Sequence, residues 1–431
     1  MQGNEIITEI FQKIEKLRKL APGEKEALSY FMIQRQWMLE YKLSNSGYQP
    51  LSSIDHKRAN VPYSKTLLDW IQQFPQESQL GALALGLSVH YITEKEFNNF
   101  LGSCASQINS INTEHIRRRE QGWKIIPYAL TDRTDIYGKL VHRIGSEGTS
   151  NADTKIPGPL ESFIIQAAMT INHATGTQPL PYERFDLKPL IHSLLNKTYL
   201  IIEDWSLSGR TMGADISDFL HLLKVIFSTD KIRTAARSAR FHLPELMVVL
   251  PFATEDALKR IKQILSQSDV GYSLRYHVIT GFVFEADDRL AKGCTPDFIK
   301  NLSLCMPRIK WGSEAHNACE AFARIFTASS PEFAHGGKLD EEILKYGYGK
   351  KGWTIVGFHN CPDNSLPLYW KPFRMTSNKD FIPIFPRIIS KVSHKGTGDE
   401  IRSMLDDTEQ KQKILESKVI KVIKEIEREQ G

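Results

Sequence analysis

Residues 199–211 read YLIIEDWSLSGRT. An apolar run leads to two adjacent acids, Glu203 and Asp204, and then to a short loop of hydroxyl residues and Gly209. An amphipathic run, residues 212–227, follows this loop. The order predicts a strand, a turn and a helix, because apolar runs of this length are typical of buried strands and apolar residues at helical spacing indicate a helix. The polar side chains are therefore expected at the turn.

The turn has the composition of a phosphate site joined to a sugar site. Backbone amides at a helix N-terminus attract phosphate, and the helix dipole favours negative charge there. Ser206, Ser208 and Thr211 add hydroxyl donors, and Gly209 allows the backbone to approach a ligand closely. Adjacent carboxylates accept hydrogen bonds from the vicinal hydroxyls of a sugar. The alternative is an ordinary strand–helix turn with an N-capping serine.

This segment resembles the phosphoribosyl diphosphate (PRPP) signature of the phosphoribosyltransferases. The resemblance implies that Glu203 and Asp204 hold the ribose hydroxyls and contact a metal ion only indirectly, through those hydroxyls or water. It assigns the 5-phosphate to the loop residues Ser206, Leu207, Ser208, Gly209, Arg210 and Thr211. The sequence departs from the signature in the middle, at Trp205, Ser206 and Leu207.

The wider chain alternates between strand and helix patterns. Strands are predicted at residues 124–130, 198–204, 246–252 and 274–284, with helices at 159–172, 212–227 and 254–265. Such alternation predicts an α/β fold with a mostly parallel sheet and flanking helices, here of the type I phosphoribosyltransferase-like kind. We expect a helical N-terminal region at 1–120, the α/β domain at 121–390 and a C-terminal amphipathic helix within 391–431. Ligands in such sheets bind beyond the carboxyl ends of the strands.

The N-terminal region reads as helical. A second helix is predicted to carry the apolar residues Leu28, Phe31, Met32, Ile33, Trp37 and Leu39. Thr93, which precedes Glu94 and Glu96, is predicted to cap the helix that follows it. At the other end of the chain, residues 400–430 form a charged helix with a broken apolar seam. That seam predicts either a coiled-coil contact with a second chain or docking on the N-terminal helices.

Composition argues against several classes of protein. The 431 residues carry a net charge of +5, with 41% hydrophobic and 24% charged residues, which is ordinary for a globular protein. Five widely spaced cysteines predict reduced thiols in a cytoplasmic protein. The first 20 residues do not form a signal peptide, and the longest apolar run, 80–89, is about half a membrane span. We therefore expect no membrane association.

PRPP chemistry also requires a site for the departing pyrophosphate. In the phosphoribosyltransferases this loop precedes the acid pair, which points to residues 131–155 here. Lys139 and Arg143 are the best candidate cations, and Asp132 and Arg133 are expected just past the end of the first strand of the sheet. Mg²⁺ is the cofactor that the resemblance implies, since a hard cation bridges pyrophosphate and ribose oxygens. For Lys139 and Arg143 the alternative is an exposed basic hairpin at the protein surface, with no role in a site.

A second polar segment follows the apolar run 353–358. His359 and Asn360 begin a proline-braced loop, and aromatic residues including Trp370 come after it. The pattern is compatible with a lid or base pocket that contacts substrate through His359 and Asn360, because aromatic faces stack on nucleobases. A buried connection with Trp370 as a core residue is an equal alternative. No general base is assigned; His142 and His359 are candidates.

Together these features resemble the PRTase-CE group, phosphoribosyltransferase-like proteins of prokaryotic conflict systems that include retron-type defence loci. The resemblance covers roughly residues 70–390. It implies an effector in antiviral (phage) defence that binds PRPP or a related nucleotide.

Three functions remain open at this stage. The first is a glycosyltransferase acting at ribose C1, and the second is a non-catalytic sensor of a ribose phosphate. The third is a component of a nucleoprotein defence complex that contacts nucleic acid through the basic clusters 117–119 and 231–240. For these clusters the alternative is a solvated helix face.

Overall fold

The fold is taken from a computed structural model of the chain. It describes residues 8–10, 12–13, 20–45, 63–117, 124–129, 140, 160–176, 186–203, 205–285, 289–290, 294–329, 340–357, 361–362, 364–377, 379–385 and 409–430.

Helices make up most of the described chain. They are α1 (Pro22–Asn45), α2 (Tyr63–Ile71), α3 (Gln79–Ser88), α4 (Glu94–Arg117), α5 (Leu160–Thr175), α6 (Leu187–Leu194), α7 (Arg210–Phe227), α8 (Asp230–Ser238), α9 (Glu255–Gln267), α10 (Asp297–Cys305), α11 (Trp311–Ser329), α12 (Glu341–Tyr346), α13 (Pro367–Trp370) and α14 (Glu409–Gln430). The strands are β1 (His90–Ile92), β2 (Lys124–Ala129), β3 (Lys197–Ile202), β4 (Trp205–Ser206), β5 (Glu245–Thr254), β6 (Tyr276–Phe284), β7 (Ile355–Gly357), β8 (Phe373–Arg374) and β9 (Asp380–Phe381).

The chain divides into two compact units. Residues 1–98 and 284–390 form one, which we call the helical unit, and residues 99–283 and 391–431 form the other, the α/β unit. This grouping differs from the predicted segments 1–120, 121–390 and 391–431. The predicted segments stay a prediction, because compactness alone does not define a functional domain.

The α/β unit contains a five-stranded sheet. Strands β2, β3 and β5 lie side by side and parallel, and β6 pairs with β5. All ten residues of β5 and five of the six in β3 are buried, as expected for parallel strands covered on both faces. The buried residues of α5 to α9 and α14 form one core with Tyr199 and Ile201 of β3 and with Leu246, Val248 and Leu250 of β5. The predicted α/β character and mostly parallel strands are therefore confirmed.

The strand that leads to Glu203 is interrupted after Ile202 rather than ended there. Residues 198–202 pair with 245–249, and residues 205–206 of β4 pair with 252–253, so the offset of 47 is the same on both sides of the gap. Strand β4 thus continues the line of β3 along the same strand. The prediction that the strand ends at Asp204 was wrong by two residues.

Pro251 gives the physical reason for the gap. The N–H of Glu203 donates to the carbonyl of Val249 at 3.1 Å, which continues the parallel ladder by one residue. In that ladder the next bond would run from the N–H of residue 251 to the carbonyl of Glu203. Proline has no N–H, so the ladder breaks opposite Pro251 and resumes at Trp205.

The helical unit has α3 at its centre. Nine of the ten residues of α3 are buried, so this helix is apolar on every side. A Cβ atom on Gly81 would lie 1.8 Å from the carbonyl oxygen of Glu314, which shows how closely α3 approaches α11. Strand β1 pairs in parallel with β7 beside them. Trp370 is buried in this core and donates its indole N–H to the Ser365 carbonyl at 3.1 Å, which favours the packing role for Trp370.

Local sequence signals place several helix ends correctly. Thr93 caps α4 as predicted: its hydroxyl accepts from the N–H of Glu96 at 3.1 Å, and Glu96 accepts in return from the N–H of Thr93 at 2.8 Å. Helix α1 carries the six apolar residues predicted for the second helix, and the structure leaves one of them, Trp37, 66% exposed.

The C-terminal helix α14 packs inside its own unit. Its apolar seam, made of Leu415, Val419, Val422, Ile423 and Ile426, is buried in the α/β core. Lys231 of α8 forms an ion pair with Glu416 at 2.8 Å, and Lys418 donates to the carbonyl of Ala174 at 2.6 Å. The seam therefore packs on α5, α6 and α8 of the same chain. The sequence had left two other partners open, a coiled coil with a second chain and the N-terminal helices.

Within the part of the chain that the structure describes, each helix is either too short or too polar to cross a lipid bilayer.

Candidate functional site

Glu203 lies at the carboxyl end of β3, one residue beyond its pairing with β2 and β5. It is half-buried in the gap between β3 and β4, held by the backbone bond to Val249. The carboxyl edge is where open parallel sheets bind ligands. Asp204, its predicted partner, lies outside the described residues. The structure thus positions one member of the acid pair at the expected edge.

The three residues that depart from the PRPP signature serve packing. Trp205 stacks on Phe252, with ring centroids 4.7 Å apart and planes inclined by 18°. Ser206 and Leu207 are each only 3% exposed. This part of the loop is fixed by the sheet and its neighbours, and it leaves the following residues as the accessible part of the predicted phosphate site.

The accessible part surrounds the start of α7. Gly209 immediately precedes the helix with φ of 65° and ψ of 12°, a left-handed conformation that glycine adopts without strain. The Oγ atom of Ser208 accepts from the N–H of Arg210 at 3.4 Å, and Arg210 and Thr211 are exposed. The first α-helical bond runs from the N–H of Gly213 to Gly209. Helix α7 therefore starts with two exposed residues, and the amides of a first helical turn are the donors that anion binding uses.

Helix α9 holds the loop in place from one side. The hydroxyl of Thr254 donates to the carbonyl of Leu207 at 2.8 Å and accepts from the N–H of Ala257 at 3.1 Å. Arg260 donates from Nη1 to the carbonyl of Ser208 at 3.2 Å. A Cβ atom on Gly209 would lie 3.0 Å from the carbonyl oxygen of Ala257. The loop therefore has little freedom to move toward α9.

Sequence analysis did not identify Thr254 or Arg260 as site residues. Thr254 had a local signal, since it precedes Glu255 and Asp256 in the pattern of a helix cap. The contact of Arg260 with Ser208 joins residues 52 positions apart, so no local pattern could have shown it. Arg260 brings a cationic group next to the start of α7.

We expect Thr254→Val to destabilise the α/β unit by about 1–2 kcal/mol, because it removes a helix cap and a buried hydrogen bond together. Urea unfolding monitored by circular dichroism measures this difference. The matched control is Thr280→Val, which should lower the free energy of unfolding by less. The Thr280 hydroxyl donates to the carbonyl of Phe282 on the same strand. Equal stability of the Thr254 variant and the native chain would contradict the role assigned to this hydroxyl.

Strand β2 ends close to Glu203. Ala129, the last residue of β2, pairs with Ile202, the residue before the acid. The predicted pyrophosphate residues come soon after β2. Asp132, Arg133, Lys139 and Arg143 lie outside the described residues, as do His359, Asn360 and His142. The structure therefore brings together Glu203 and the loop 206–211 from the predicted site.

The basic cluster 231–240 is partly occupied by intramolecular contacts. Lys231 pairs with Glu416, and Arg233 donates to the carbonyl of Phe227 at 2.9 Å and contacts Ser228 and Asp230 as well. Arg237 and Arg240 are exposed. The cluster thus presents fewer cations to solvent than its sequence indicates.

Two features bear on metal and thiol chemistry among the described residues: the arrangement of possible metal ligands, and the burial of the Cys104 thiol. No group of three His, Cys, Asp or Glu side chains there is arranged to hold a metal ion. Burial raises the pKa of the Cys104 thiol to about 12, which keeps it protonated at neutral pH. A carboxylate beside hydroxyl groups suits a hard cation that is held mainly by ligand oxygens and water.

Comparison with known proteins gives one match. A family model described as PRTase-CE matches residues 67–387. Searches of curated proteins and of solved structures found no match.

Proposed function

The chain belongs to the PRTase-CE family, and from this membership we propose that it binds PRPP or a related nucleotide at the β3–α7 loop and acts at ribose C1. The family is phosphoribosyltransferase-related, so a pentosyl transfer is the chemistry that its site should serve. We include in this proposal a type I phosphoribosyltransferase-like fold for the α/β unit.

One observation carries the proposal. A half-buried acid interrupts a central parallel strand, and seven residues after it a helix begins behind a left-handed glycine with its first two residues exposed. This arrangement supports a site with a hydrogen-bond acceptor for sugar hydroxyls and a set of phosphate donors close by in the chain. A ribose that carries a 5-phosphate has both groups on one ring.

Each residue then has a defined role. Glu203, with Asp204, accepts from the ribose hydroxyls, and the amides of Arg210 and Thr211 bind the 5-phosphate with the hydroxyls of Ser208 and Thr211. Lys139 or Arg143 neutralises the pyrophosphate as the C1–O bond breaks and the leaving group takes the electron pair. The acceptor then forms its bond to C1, and positioning and charge neutralisation are the main sources of rate. Mg²⁺, when bound, supplies positive charge at the pyrophosphate.

A non-catalytic sensor is the second candidate function. Its support is the burial of Ser206 and Leu207, which removes two side chains from the predicted phosphate loop. The remaining donors suffice to bind a ribose phosphate without chemistry.

We expect PRPP with Mg²⁺ to raise the melting temperature of the full chain, because a ligand that binds the folded state stabilises it by about 2.7 kcal/mol at a hundred times its Kd. Differential scanning fluorimetry with PRPP, ribose 5-phosphate and pyrophosphate measures the shift. Release of pyrophosphate in the same samples distinguishes an enzyme from a sensor. No shift with any of the three ligands would contradict both functions.

We also propose a role in phage defence, with a retron-type locus as its setting, on the strength of the family resemblance. If the protein has this role, phage should form fewer plaques on cells that carry the locus than on cells that lack it. The same locus with Glu203→Gln should not protect, and protection by that variant would separate defence from the nucleotide site.

A further inference from the structure

Helix α1 presents large aromatic side chains to solvent. Of the five strongly exposed large hydrophobic residues in the described chain, three lie on this helix: Tyr30 at 60%, Trp37 at 66% and Tyr41 at 71% exposure. Single exposed apolar residues are common, but three on one stripe are not, and such stripes mark interaction surfaces. Tyr and Trp are also the residues enriched at interfaces.

The exposed residues form a regular seam. Tyr30, Gln34, Trp37 and Tyr41 are spaced by four, three and four residues, which is the a/d spacing of a coiled coil, and we call them the outer seam. The Gln34 amide donates to the Tyr30 hydroxyl, so the polar member is tied to an aromatic one. The opposite face of α1 buries Leu28, Met32, Leu39 and Leu43 in the helical unit. At about 100° per residue the two faces point in opposite directions, so α1 is built to pack on two sides.

The spacing of the outer seam is palindromic. Tyr30 and Tyr41 are equidistant from a point between Arg35 and Gln36, as are Gln34 and Trp37 and the half-buried pair Ile33 and Met38. In a two-fold antiparallel helix pair, residue i meets residue j and residue j meets residue i. Tyr30 would then face Tyr41 of a second copy, and Gln34 would face Trp37. This is the a-to-d layer arrangement of an antiparallel coiled coil.

Charge favours a neutral helical partner. The Arg35 guanidinium donates to the carbonyls of Leu87 at 2.7 Å and Val89 at 2.9 Å, and Lys42 pairs with Glu96 at 3.0 Å. These cations are directed into the helical unit, so the outer seam offers no row of positive charge to phosphates of a nucleic acid or an acidic membrane. An uncharged aromatic seam fits another uncharged apolar seam.

The aromatic side chains of the outer seam supply about half of the area that a stable dimer buries. Three aromatic side chains that each expose about two thirds of roughly 150–250 Å² give roughly 300–500 Å² per chain. A stable interface buries about 800 Å² per partner. The flanking Ile33 and Met38 and the polar residues beside them lie within the same footprint.

We propose that the protein forms a two-fold homodimer through antiparallel pairing of α1 helices along the outer seam. This inference is independent of the nucleotide site. It also differs from the oligomer that the sequence suggested through the C-terminal helix, because α14 buries its apolar seam in its own unit.

Sedimentation velocity of the full chain tests the proposal. We expect a concentration-dependent dimer for the native chain and a monomer for Trp37→Glu. Leu304→Glu, which changes a residue 79% exposed on α10, is the matched control and should remain dimeric. Circular dichroism of Trp37→Glu should match that of the native chain, since Trp37 lies outside the core, and the melting curves should match at concentrations where the native chain is monomeric.

Cysteine cross-linking tests the direction of the pair. Tyr30 and Tyr41 are about 16 Å apart along one helix. In the antiparallel pair, Tyr30 of one copy therefore lies near Tyr41 of the second copy and far from Tyr30 of the second copy. Mixed Tyr30→Cys and Tyr41→Cys chains should form a disulfide-linked dimer under mild oxidation, and each variant alone should stay at the background of the native chain, which has an exposed Cys305. Four results would each overturn the proposal. The native chain could be monomeric at high concentration, or the dimer could survive Trp37→Glu. Each cysteine variant could cross-link with itself, or the helix could pair only with a different protein.

Discussion

Glu203→Gln is expected to weaken PRPP binding by roughly ten- to a hundredfold. Hydrogen bonds to a charged group contribute about 1.5–3 kcal/mol, and the amide keeps the size of the side chain while removing its charge. The backbone bond from Glu203 to Val249 does not depend on the side chain, so the strand should form as before. Isothermal titration calorimetry with PRPP and Mg²⁺ measures the affinity, and pyrophosphate release measures turnover.

Asp269→Asn is the matched control for this variant. Asp269 is an exposed acid that follows the C-terminal end of α9, whereas Glu203 lies at the edge where α9 begins. Its loss should leave PRPP affinity unchanged. Native affinity in Glu203→Gln, with an unchanged melting curve, would show that the sugar does not contact this acid.

Gly81→Ala is expected to destabilise the helical unit by about 3 kcal/mol or more. The added Cβ atom would lie 1.8 Å from the carbonyl oxygen of Glu314 and 2.4 Å from its carbon, so α3 and α11 must separate. Overpacking of a core costs about 1–3 kcal/mol when side chains can move, and backbone atoms have less freedom than side chains. A loss of this size lowers the melting temperature by roughly 10 °C in a unit of this length.

Gly23→Ala provides the comparison, because a Cβ atom on Gly23 in the first turn of α1 would have no neighbour within 4 Å. Alanine is also the better helix former, so this variant should be as stable as the native chain or slightly more. Calorimetric melting curves of both variants measure the difference. If Gly81→Ala melted together with Gly23→Ala, the close packing of α3 on α11 would be wrong.

The sequence predicted the elements around the site well where the signal was local. The runs that became β3 and β5 are apolar enough for strands covered on both faces, and the amphipathic run after Gly209 became α7. The acid at the carboxyl edge and the glycine before the helix follow from the same thirteen residues. Family membership agrees with this motif.

Local signals did not decide the surroundings of a residue where two were possible. Trp37 lies on a helix as predicted, and periodicity alone could not show which face of α1 packs inward. The apolar seam of α14 indicated that this helix packs on another element, but the sequence did not show that this element lies in the α/β unit. The end of the strand at the acid pair depended on Pro251, which lies on a different strand.

The sequence alone determined the order of strand, acid, glycine and helix, because each is set by neighbours a few residues away. Only the tertiary structure decided that Trp205 packs on Phe252, that Thr254 and Arg260 hold the loop, and which side of α1 packs into its own unit. These are contacts between residues far apart in the chain. Their energy depends on distances that appear only when the strands and helices have packed.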